Sequence, residues 1–209
     1  LAYAERLGCN WARTPLTSTY QYDLNGLDKA CGSNTKLIFV CNPNNPTGIE
    51  IPTAELQSFC ETQSKKYPVY VDEAYIELSP NGRASSMASL VDSNPKIIVG
   101  RTFSKVHGLA GLRIGYAIAN PVTIELLANF HIGRGMTISS ASANAAIACL
   151  KDAEFEAYSR RKIIEGREMV CKAFDKWGVE YMPSAANFVF FRNDKFSMDP
   201  VEAMEKEDI

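Results

Sequence analysis

The sequence predicts an α/β fold built on a largely parallel, doubly wound sheet, followed by the start of a smaller α+β C-terminal domain. Three observations predict it. Short apolar runs at 36–41, 67–71 and 96–100 read as strands, the first suited to being covered on both faces and the last buried. Segments with helical spacing alternate with those runs, as they do in βα units. Each run also gives way at once to a polar, turn-forming stretch, and ligands of open α/β sheets bind at the carboxyl ends of strands.

In chain order, Leu1, Ala4 and Leu7 have helical spacing that stops at Gly8, which reads as the tail of a helix starting upstream. Residues 10–22 are polar and aperiodic, and Asn25 to Cys31 reads as a short helix before Gly32. The run Lys36-Leu-Ile-Phe-Val-Cys41 is the first strand of the sheet. Asn42-Pro-Asn-Asn45-Pro-Thr-Gly48 follows it, where the prolines forbid extension of the strand and the asparagines offer side-chain amides. Taken alone this is equally a rigid turn.

Thr53 is placed as the N-cap of a helix to about Lys66, with Leu56, Phe59 and Cys60 on one face. The strand at 67–71 ends in Asp72-Glu-Ala-Tyr75, where an acid serves either a site or a helix cap. A loop and a helix are expected in 80–94, before the strand Lys96–Gly100. After the next loop, 113–119 reads as a strand, Pro121 opens a helix through Phe130, and 139–150 is a helix of small residues. Glu154 to Trp177 is one amphipathic helix with Phe155, Tyr158, Ile163, Val170 and Phe174 as its apolar candidates, ended by Gly178. Asn187–Arg192 is expected to be a strand of the second domain. The boundaries are placed at 1–152 and 153–209.

Composition narrows the function classes. The chain has 209 residues, 46% of them hydrophobic, enough for a substantial core, and a net charge of -2 with no basic arm, so nucleic acid is an unfavourable partner. No apolar run is long enough to span a bilayer. The six cysteines (9, 31, 41, 60, 149 and 171) are scattered and read as reduced core residues. With only His107 and His131, a histidine-based metal site is disfavoured.

The loop Arg101–Gly115 carries the most chemistry: the hydroxyls of Thr102 and Ser104, the cations of Lys105 and Arg113, and three glycines that let backbone N–H groups approach a ligand. Val106, Leu109, Leu112 and Ile114 surround the cations with apolar residues, unlike a solvated face. A lysine amine so placed is suited to attack a carbonyl and form a Schiff base, and the loop alone supports either that, phosphate binding or a structural use.

Together, Asn-Pro-x-Asn-Pro-Thr-Gly at 42–48, Asp-Glu-Ala-Tyr at 72–75, Ser104-Lys105 with Arg113 eight positions on, and Ala-Asn-Phe at 186–188 resemble the fold-type I pyridoxal-phosphate aminotransferases, nearest the histidinol-phosphate aminotransferase-like branch. The resemblance covers nearly the whole chain. It implies pyridoxal 5'-phosphate as cofactor, with Lys105 as the Schiff-base lysine and proton shuttle, Asp72 against the pyridine nitrogen, Asn45 and Tyr75 on the phenolic oxygen, and Thr102, Ser104 and Arg113 on the phosphate. It also implies a small-molecule amino donor, a 2-oxo acid acceptor and a homodimer when full length; a cytoplasmic location is the default reading of the sequence, with an exported precursor left open. In that family an upstream aromatic and a downstream carboxylate-gripping arginine complete the site, and Arg192 lies too near its strand for the latter. The chain therefore reads as a core with both ends missing, and 1–209 alone is expected to be inactive. A pyridoxal-phosphate-dependent decarboxylase of an amino-acid phosphate, and a non-catalytic chain keeping the fold, are the competing readings.

Overall fold

The computed structural model describes residues 2–130, 138–194 and 196–208; His131 lies outside them. Helix α1 (Ala2–Arg6) stops before Gly8, which has a φ of 80°. Helix α2 (Leu24–Ala30) is capped by the Asp23 side chain, which accepts from the Gly26 amide. Strand β1 (Ile38–Cys41), helix α3 (Thr53–Gln63), β2 (Val69–Asp72), β3 (Ile97–Thr102) and β4 (Gly115–Ala119) then build one sheet of order β1-β2-β3-β4. Residue 53 is the first helical residue of α3; Pro52, which has no side chain able to cap, occupies the N-cap expected of Thr53.

Strands β1, β2 and β3 are parallel and in step, with Cys41 beside Asp72 and Asp72 beside Gly100. β4 runs antiparallel to β3, pairing Thr102 with Gly115, so the sheet is mixed. The reason lies in the connection. Residues 103–114 hold no crossover helix, only a short 3-10 turn at Ala110–Leu112 and a left-handed Arg113 (φ 51°), so the chain turns straight back.

One face of the sheet carries the core. Ile38, Val40, Val69, Val71, Ile97 and Val99 are buried there against Leu56 and Cys60 of α3 and Met87 and Leu90, each contributing roughly 1.5–3 kcal/mol by burial. The opposite face is only partly covered: Phe39 is 37% exposed and stacks on Tyr70 at 5.5 Å. The strands thus alternate in burial rather than being apolar on both sides, as expected for the first of them. Residues 76–90 form three 3-10 turns instead of a helix.

Helix α4 (Pro121–Phe130) packs by β4, and α5 (Ser140–Lys151) is capped by Ser139 and tied to the β3–β4 loop by a bond from Ser142 Oγ to the Leu112 carbonyl (3.2 Å). Helix α6 (Ala153–Trp177) is capped by Asp152 and closed by left-handed Gly178. Of its expected apolar face, Phe174 is buried, whereas Phe155, Tyr158 and Val170 are more than 40% exposed. The C-terminal region beyond it is smaller and holds α7 (Pro200–Glu205). Residues 187–192 do not form the expected strand. Their only described ladder is a bridge between Tyr181 and Phe191, flanked by backbone bonds from Met182 to Phe190 and from Arg192 to Glu180, too short to count as a sheet.

All six cysteines are free, but of the six expected as core residues only Cys60 is buried; Cys9 is exposed and the other four are partly exposed. Among the described residues no cluster of His, Cys, Asp and Glu could hold a metal ion, and no helix is long and apolar enough to cross a membrane.

Candidate active site

The carboxyl ends of β1, β2 and β3 lie side by side, and the stretches that leave them meet at Tyr75. Asn45 Nδ2 donates to Tyr75 Oη (3.0 Å), which leaves the phenol proton free to donate elsewhere. Lys105 Nζ sits over the Tyr75 ring, 5.0 Å from its centroid, in a cation–π contact. Phe188 meets the same ring edge-on at 5.4 Å, and Ala186 packs with Tyr75, Leu78 and Val106. Three stretches that are far apart in the chain are therefore held by one aromatic side chain from a fourth.

The loop 42–48 is rigid because its other side chains are spent internally. Asn42 Oδ1 accepts from the Ile51 amide (2.7 Å), and Asn44 Nδ2 donates to Thr47 Oγ1 (2.8 Å). Tyr22, unremarked in the sequence, braces it from behind: its hydroxyl donates to the Cys41 carbonyl (2.8 Å) and accepts from the Cys41 amide (3.1 Å). At the far end Gly48, with a φ of 75°, abuts Ser184 and accepts from the Ala185 amide (2.7 Å). A Cβ there would be strained and would run into Ser184. Gly48→Ala should cost about 1–3 kcal/mol, read as a lower urea midpoint, while Gly32→Ala, which meets open space, should change it little. Equal midpoints for the two variants would contradict this.

Asp72 is half-buried at the end of β2, where Oδ1 accepts from the Ala74 amide (3.1 Å). Burial pushes its carboxyl above the usual carboxylate range, and the Ala74 amide and the Lys105 ammonium offset this only in part. The site thus holds an acid that a further cation would stabilise. Tyr70, two residues earlier on the same face, lies over Gly100, where any Cβ would strike its hydroxyl. Strand alternation from Asp72 is the signal that would have found it.

Thr102 and Ser104 are joined by a 2.9 Å bond between their hydroxyls, and the Ser104 amide donates to Thr102 Oγ1 (3.1 Å). Arg113 is the member that the structure does not bring into contact with the rest. Its backbone lies beside Ile114, whose carbonyl accepts from the Phe103 amide, but its exposed guanidinium donates to the Ala110 carbonyl (2.9 Å). An apolar groove of about 520 Å³ between α6 and the C-terminal stretch from Asn187 to Met204 shares Phe188 with this site but is lined by none of Asn45, Asp72, Thr102, Ser104 and Lys105.

The donor set fits pyridoxal phosphate. An acid lacking a full cationic partner suits its ring nitrogen, an amine without a hydrogen-bond partner among the described residues suits its aldehyde, and paired hydroxyls after a strand suit its phosphate.

A family model described as aminotransferase class I and II matches residues 2–203. A histidinol-phosphate aminotransferase of Brevibacillus brevis is 37% identical over 185 residues, covering 88% of this chain and 50% of the relative. An aromatic amino acid aminotransferase of Mycolicibacterium vanbaalenii is 39% identical, covering 92% and 55%. Among solved structures, histidinol-phosphate aminotransferase from Sinorhizobium meliloti in complex with pyridoxal-5'-phosphate superimposes with a TM-score of 0.78 at 31% identity, over 86% of this chain and 48% of that one. The chain spans about half the length of the curated relatives it matches.

Proposed function

Since the chain belongs to the class I and II aminotransferases, on their histidinol-phosphate aminotransferase-like branch, we propose that it binds pyridoxal 5'-phosphate and carries out amino transfer from an amino-alcohol phosphate or amino acid to a 2-oxo acid. The observation that carries the reading is the convergence of Lys105, Asn45 and Phe188 on Tyr75 beside Asp72. When bound, the cofactor supplies an electron sink for the carbon that bears the amino group.

The protein's own groups do the rest. Lys105 would hold the cofactor through its ε-amine and, once displaced by the donor, is the base that takes the proton from the substrate's α-carbon. The Asp72 carboxylate would keep the ring nitrogen protonated, gaining the cationic partner that burial makes favourable. The free Tyr75 proton, with Asn45 behind it, would be donated to the phenolic oxygen. Thr102, Ser104 and Arg113 would grip the phosphate, Arg113 by exchanging its Ala110 carbonyl partner for a bidentate one. Homodimeric assembly belongs to the same proposal and rests on the family resemblance alone, and a cytoplasmic location is proposed with it as the default reading of the sequence.

The substrate is tested with the protein at full length, pyridoxal phosphate and 2-oxoglutarate, offering histidinol phosphate, phenylalanine and an amino-acid phosphate as donors and following glutamate and carbon dioxide. Glutamate should form with histidinol phosphate as the better donor. Faster transfer from phenylalanine would move the substrate to the aromatic amino acids, and carbon dioxide release from an amino-acid phosphate without glutamate would replace amino transfer by decarboxylation.

A further inference from the structure

Neighbouring residues in extended chain point to opposite faces of a sheet. Asp72 serves the site, and Glu73 beside it turns into the core, where it is 1% exposed. On β3 the same alternation sends Thr102 to the site and Arg101 inward. The two inward residues meet: Arg101 Nε and Nη2 both donate to Glu73 Oε2, at 3.1 and 3.0 Å. Ser86 Oγ donates to that oxygen (2.7 Å) and accepts from Arg101 Nη2 (2.7 Å), while the Met87 amide donates to Oε1 (2.7 Å). The Glu73 amide also donates to the Gly100 carbonyl (2.9 Å), the last rung between β2 and β3.

Neither charge faces the site, and a pair this deep stabilises a fold no better than apolar residues of similar size. What it does is lock the ends of β2 and β3 together at the residues adjoining Asp72 and Thr102. We propose, resting on the cofactor reading above, that Glu73 and Arg101 are positioning residues that set the spacing between the carboxylate of Asp72 and the loop carrying Thr102, Ser104 and Lys105. A site whose groups must reach two ends of one rigid ligand is sensitive to displacements of about 1 Å, which can cost on the order of 100-fold.

The test is pyridoxal phosphate affinity and visible-band circular dichroism of the purified protein, measured well below each variant's unfolding temperature. Glu73→Gln and Arg101→Lys, which keep size but lose the charge or the fork, should weaken cofactor affinity about 10- to 100-fold and diminish the dichroic band. Ser86→Ala leaves no lone charge and should act a few-fold in the same direction. Leu56→Ala, in the core cluster on the α3 side of the sheet, should lower the unfolding temperature yet bind cofactor as the parent does. Parental affinity in the charge variants, or an equal loss in Leu56→Ala, would overturn the proposal. Should the charge variants not fold, Ser86→Ala decides alone, with parental affinity counting against it. A parent that binds no pyridoxal phosphate would sink the cofactor reading and this inference with it, whereas a binding parent with unaffected variants would sink the inference only.

Discussion

Lys105→Ala is expected to remove the visible absorbance of the cofactor-loaded protein and to lower amino transfer by about 10⁴-fold or more, because one amine both holds the cofactor and moves the proton. Its position supports the double use. The ammonium rests on the Tyr75 ring without a hydrogen-bond partner among the described residues, so no hydrogen bond must be broken before the amine, once deprotonated, reacts. Lys96 is the control, since its amine is engaged by the Lys65 and Lys66 carbonyls on the surface (3.3 and 3.0 Å), and Lys96→Ala should keep the band. Absorbance titration with pyridoxal phosphate and single-turnover assays read both effects. A surviving band in Lys105→Ala would assign the amine elsewhere.

Asp72→Asn is expected to divide stability from function. Amino transfer should fall about 10³-fold, because the ring nitrogen loses the charge that keeps it protonated, while pyridoxal phosphate is still bound. The cofactor-free protein should at the same time become more stable at neutral pH. Burial raises the Asp72 carboxyl in the folded chain. Between its ordinary and its raised value the folded state binds the extra proton, so stability falls as pH rises through that interval and the cost persists above it. Asparagine removes the cost and can keep the Ala74 bond. Thermal unfolding of both cofactor-free forms should show the variant ahead at neutral pH and the gap closing toward acid. A variant less stable than the parent at neutral pH would contradict the burial argument.

The sequence carried the strands at 38–41, 69–72 and 97–102 and the polar groups at their ends, because buried parallel strands advertise themselves as apolar runs. The direction of β4 was not legible from its own residues, since Gly-Tyr-Ala-Ile-Ala suits either orientation; the absence of a helix in 103–114 decided it. Residues 187–192 have strand composition, but a strand is made by its neighbours, and among the described residues they meet only 180–182, through the Tyr181–Phe191 bridge and the backbone bonds flanking it. Glu73 and Tyr70 were missed for one reason. Alternation about Asp72 assigns Glu73, just past the end of β2, to the core and Tyr70, two residues before Asp72, to the site, whereas reading Asp72 to Tyr75 as a single polar cluster hides the first and leaves out the second. Arg113 was legible as chemistry but not as geometry, because its side chain turns back on the Ala110 carbonyl.

The most direct measurement is borohydride reduction of the pyridoxal-phosphate-loaded protein followed by peptide mapping. A single pyridoxyl adduct on Lys105, in the peptide that contains Thr102 and Ser104, is the predicted result. An adduct on any other lysine, or none at all, would contradict the assignment of the site to the ends of β1, β2 and β3.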